Sequence, residues 1–147
     1  MKRLFVLTFV LSVAMGACAD GLTSLSEFRA ALVGNWTAQS NFGAITFTTI
    51  QDNVTTDWLD RGATLAISIA SDGTTAGRLF VPGGDEDGSD LDADLVGTWS
   101  TLGDSIVEFD HVADTFVRDM PFRLVEGELL GRRDFGDVTV VVTLVRQ

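Results

Sequence analysis

Cysteine, histidine and basic side chains are what this 147-residue chain has least of. Cys18 is its one cysteine, so no disulfide can form within a single chain and packing alone must hold the fold. His111 is its one histidine, and between Asp110 and Asp114 it reads as a solvated turn residue. With no second residue of either kind, a zinc cluster lacks ligands and a hydrolytic triad cannot be assembled around a histidine base. No catalytic residue and no cofactor is therefore expected. Bases are scarce as well: from Cys18 onward eight arginines stand against 21 acidic residues, a net charge of −13. Such a field repels phosphate backbones, so nucleic acid is excluded, and it repels anionic lipid headgroups. Also missing is a long apolar run, since Leu4 to Met15 spans 12 residues where a membrane helix needs about 20.

That short run, preceded by Met1-Lys2-Arg3, has the form of a signal peptide over residues 1–17. Ala14-Met15-Gly16-Ala17-Cys18 resembles a lipobox, with Met15 where leucine is usual. The resemblance implies lipidation of Cys18, a tether over 18–23 and a folded domain over 24–147. Membrane contact would run through the N-terminal lipid only. The expected location is the bacterial cell envelope, at the periplasmic side of the outer membrane. Ala17-Cys18-Ala19 offers a second cleavage, before Asp20, which would give a soluble periplasmic or secreted product.

Ser24 to Leu32 predicts a short helix, with Ser24 and Glu27 forming a capping box and Leu25, Phe28, Ala31 and Leu32 on one face. From Gly34 the period becomes alternating, as in half-buried antiparallel strands. Asn41-Phe42-Gly43, Asp72-Gly73, Gly83-Gly84, Gly103-Asp104, Glu126-Gly127 and Gly136-Asp137 punctuate the runs. Eight or nine strands result. Thr55 to Gly62 reads as a helical turn or two, or as a surface loop pinned by Trp58. Leu32-Val33-Gly34-Asn35-Trp36-Thr37 repeats as Leu95-Val96-Gly97-Thr98-Trp99-Ser100, and Gly77-Arg78 repeats as Gly131-Arg132. Two four-stranded meanders follow, which close into a small antiparallel up-and-down β-barrel or stack as a sandwich.

Gly34-Asn35-Trp36, just after the predicted helix, resembles the G-x-W signature of lipocalins. Arg146 lies in register with Val138, Val140, Val142 and Leu144 on the inward face of the last strand. In lipocalins a basic residue from that strand stacks on the first-strand tryptophan, which here implies a cation–π contact of Arg146 with Trp36. From Leu32 to Gln147 the chain looks most similar to short bacterial lipocalin-like lipoprotein domains that begin L-x-G-x-W. The resemblance implies a non-enzymatic barrel that binds or shields a small hydrophobic ligand. An inhibitor or assembly factor with a protein partner, or a structural lipoprotein with a filled barrel, are the alternatives.

Two arginines qualify as ligand groups. Arg118 shares a register with Phe116, Met120 and Phe122, and Arg133 with Leu129 and Gly131, so both could meet a fatty-acid-like carboxylate inside the barrel. Pro121 or a bulge would turn them outward instead. The acidic loop from Gly83 to Asp94 alternates Asp85, Asp87, Asp90 and Asp92 around Gly88, a weak calcium pattern. Gly83 stands where its first aspartate belongs, and a solvated connection is the other reading.

Overall fold

Ser24 does begin a helix. Its side chain accepts from the Glu27 amide, and α1 runs over Leu25–Leu32, burying Phe28 and Leu32 while Leu25 stays half exposed. The structure, a computed structural model, describes residues 24–38, 47–85 and 87–147. Cys18, the leader, the Asn41-Phe42-Gly43 turn, Ile45, Thr46 and Glu86 lie outside the described residues.

Eleven strand segments follow, β1 to β11: Gly34–Thr37, Phe47–Gln51, Val54–Asp57, Thr64–Ile69, Thr74–Val81, Leu91–Asp94, Gly97–Leu102, Ile106–His111, Phe122–Val125, Glu128–Phe135 and Val138–Arg146. Register merges them into eight barrel positions. Arg78 pairs with Asp94 and Thr75 with Gly97, three residues apart on each side, so β6 and β7 are one strand along β5. Both β1 and β2 lie along β11, where Trp36 meets Arg146 and Phe47 meets Val142. They are successive parts of one broken strand, and β3 and β4 are the matching halves of its partner. The barrel is closed, antiparallel and eight-stranded, with β1 against β11 completing the circuit.

Two expectations change here. No hairpin joins β1 to β2; the turn lies at Asp52-Asn53, both at positive φ, and pairs β2 with β3. Val54–Asp57 is thus strand where a helical turn was one expectation, and the chain turns only at Trp58 to Gly62. The Asp57 carboxylate, not a threonine, accepts the Leu59 amide there. The sequence repeat accordingly divides the barrel into three strands and five, not four and four, because a single interrupted strand carries both Trp36 and Phe47.

Alternate residues point inward on every long strand. Leu65, Ile67 and Ile69, Val107 and Phe109, and Val140, Val142 and Leu144 are all buried. Gly77 and Gly97 let neighbouring strands cross closely, since a methyl at either would overlap the carbonyl oxygen of Ala66 or Asp110. One end is closed by α1. There Arg146 stacks 5.0 Å from the Trp36 ring and donates to the Ala31 carbonyl, and Arg29 of α1 stacks 4.5 Å from Trp99. Both indoles are satisfied, Trp36 Nε1 by Leu32 O and Trp99 Nε1 by Ala70 O, each at 2.8 Å. Among the described residues no helix is long and apolar enough to cross a membrane.

Candidate functional site

The strands that leave the closed end finish around a cup at the other. Phe47, Thr49 and Gln51 of β2 line it, with Trp58, Val81, Leu91, Phe116, Val138 and Val140, and its volume is about 820 Å³. Alternation explains the set, since 47, 49 and 51, and 138 and 140, are the inward positions nearest the mouth. Phe47 and Phe116 meet at a ring separation of 5.5 Å. Trp58 donates its indole N–H to Thr49 Oγ1 at 3.1 Å, and Gln51 Nε2 reaches Asp137 Oδ2 at 3.4 Å. Arg61 stacks 5.4 Å from Trp58 without joining the cup lining. The charged groups in that lining are Asp85 and Asp137, both carboxylates.

The arginines expected inside the barrel lie elsewhere. Residues Phe116–Asp119 form a one-turn helix, α2, which replaces the strand register that would have aimed Arg118 inward. Arg118 instead pairs with Asp114 and Asp119 on the surface. Leu129 and Gly131 do face inward, but β10 is exposed by Arg133, whose guanidinium lies over Phe135 and donates to the Asp119 carbonyl. Both arginines border an outer groove of about 600 Å³ with Thr98, Ser100, Glu108 and Asp110. That groove follows the stretch of β8 beyond Val107, where pairing with β9 ends. Phe116 therefore reaches the cup, Phe122 is fully buried in the core beside Phe109, and neither meets an arginine there. A carboxylate ligand finds no basic partner in the cup.

The acidic loop spends its carboxylates on the chain itself. Asp92 takes two bonds from Arg78, at 2.8 and 2.5 Å, which hold its carboxyl below the usual range. Asp87 is likewise lowered, first by a hydrogen bond from the Ser89 side chain and then by the Ser89 amide, Asp90 accepts the Gly83 amide, and Asp85 borders the cup. Among the described residues no three acidic or histidine side chains group closely enough to hold a metal ion.

His111 is not a solvated turn residue. It ends β8 with 3 % of its surface exposed, stacked 5.4 Å from Phe109, and burial pushes its pKa down against the opposing charge of Asp110. Thr49 and Val81 were not singled out from sequence, and Trp58 was singled out only as the pin of a surface loop. The signal that places Thr49 and Trp58 is the Asp52-Asn53 turn, which fixes the pairing of Phe47–Gln51 with Val54–Asp57. Comparison with protein-family models, with curated proteins and with solved structures returns no match.

Proposed function

We propose that this is a non-enzymatic, envelope-anchored lipoprotein whose lipocalin-like barrel holds a small apolar molecule in the cup at its open end. The observation that carries the reading is the cup itself. Its 820 Å³ falls in the range of about 300–1,000 Å³ usual for small-molecule sites, and three aromatic rings and four aliphatic side chains line it. Deeper down the barrel is filled by its own side chains, among them Ile67, Phe109, Phe122 and Leu129. The ligand therefore sits near the mouth. The charged side chains of the lining are carboxylates, which favours an uncharged molecule over a fatty acid. Lipidation of Cys18 would keep the barrel near the membrane from which such a molecule comes.

Titration of the mature protein with N-phenyl-1-naphthylamine, a neutral apolar fluorophore, tests the reading. Saturable one-to-one binding is expected, lost in the cup-filling variants Val138→Trp and Leu91→Trp at unchanged melting temperature. Absence of saturable binding, or equal binding by both folded variants, would overturn it.

A further inference from the structure

Trp58 borders two cavities. Beside the cup lies a second space of about 370 Å³, and Thr49, Gln51 and Trp58 line both. Asp52, Val54, Thr56 and Arg61 complete the lining of the second. Register explains the set. Thr49 pairs with Thr56 and Gln51 with Val54, and cross-strand partners share one face of a hairpin, so the face that lines the cup continues onto β3. Among the described residues β3 pairs with β2 alone, so its other edge carries no strand, and Val54 of β3 is 64 % exposed. A molecule in the cup can therefore extend past Trp58 into this side cavity.

The two spaces differ in chemistry. The cup is mainly apolar, whereas the side cavity presents two threonine hydroxyls, the Gln51 amide, the Asp52 carboxylate and the Arg61 guanidinium. Thr49 Oγ1 accepts from the Trp58 indole and keeps its own O–H to donate. Among the described residues neither Asp52 nor Arg61 joins an ion pair. A carboxylate only accepts and a guanidinium only donates, while hydroxyls do both. A phosphate would suit Arg61 and be repelled by Asp52, and an ammonium the reverse. Several hydroxyls on one neutral group answer all five side chains. We propose that the side cavity receives the polyhydroxyl head, such as a sugar, of a neutral amphiphile whose tail passes Trp58 into the cup. This inference rests on the cup as a ligand site. It adds a class of head group that the cup lining alone does not supply.

The test uses the fluorophore-loaded mature protein and displacement by three probes with one tail: 1-decanol, decyl β-D-glucopyranoside and decylphosphocholine, each kept below its micelle concentration. Wild type is compared with Thr56→Val, which keeps the β-branched shape, and with Asp52→Gly, which suits the positive φ at that turn. The glucoside should bind wild type about tenfold more tightly than 1-decanol, and each variant should lose most of that advantage, the size of a well-made hydrogen bond. For 1-decanol the three proteins should agree within about twofold. The Arg61 side-chain Nε resonance should move with the glucoside and stay in place with 1-decanol. Equal binding of glucoside and 1-decanol by wild type, or equal losses for both probes in the variants, would overturn the side cavity as a head-group site while leaving the cup intact. Preference for decylphosphocholine over the glucoside would assign the cavity to a zwitterion and overturn the polyhydroxyl head. Failure of the fluorophore to bind wild type would remove the cup and this inference together.

Discussion

Buried with neither ring nitrogen bonded, His111 resists protonation in the folded chain, whereas in the unfolded chain it titrates near its ordinary value of 6.5. Its folded pKa is the lower of the two, so across that window the unfolded state binds more protons and stability falls as pH falls below about 6.5. Denaturant melts from pH 7.5 to 5 should show a steeper loss for wild type than for His111→Phe, and identical slopes would contradict the burial. The placement was within reach of the sequence. Continuing the alternation of Val107 and Phe109 by one step puts His111 inside, but the neighbouring Asp110 and Asp114 suggested that the strand had already ended. Gly97 was legible only as half of a repeat, because the approach of Asp110 O depends on a neighbouring strand. Gly97→Ala should cost about 1–3 kcal/mol in denaturant unfolding, the usual penalty for forcing a group into filled space. An unchanged midpoint would show that the strands do not cross so closely.

At the scale of elements, turns decided what periodicity could not. Glu126 sits at φ 52° ahead of Gly127 at φ 84°, a primed hairpin turn in which a long L side chain is unfavourable. Glu126→Asn should therefore stabilise the β9–β10 hairpin, by about 1 kcal/mol on thermal unfolding. A lower melting temperature would contradict that turn geometry. Glu126-Gly127 was recognised as a turn from its glycine, whereas Asp52-Asn53 has none, and missing it misassigned Val54–Asp57. Similarly, the run from Phe116 to Phe122 alternates well enough to read as strand, and only the α2 turn that follows Thr115 takes Arg118 out of it. Arg118→Gln and Arg133→Gln should each change stability by no more than about 1 kcal/mol, because these contacts are solvent-exposed. Fluorophore affinity should stay within twofold in both, and a large loss would return the arginines to the ligand site.

For the molecule as a whole, alternation, the repeated Gly-x-Trp segments and the inward face of the last strand were enough to anticipate closure. Closure follows from the pairing of Trp36 with Arg146, and the stacking of their side chains ties the first strand to the last beneath α1. What alternation could not supply was height along the barrel. That coordinate decides which inward residues are core, as with Phe122, and which line an open cup, as with Phe116 and Val138. It depends on strand breaks and shear that long-range pairing sets. Charge was readable from composition alone, and it agrees with a cup whose charged lining is purely acidic. The most direct test of the account is native mass spectrometry of the protein purified from its own membranes in mild detergent. The expected spectrum is a mature chain beginning at a lipid-modified Cys18, with a neutral small molecule that leaves on collisional activation and is missing from Val138→Trp. A bare polypeptide from both proteins would contradict it.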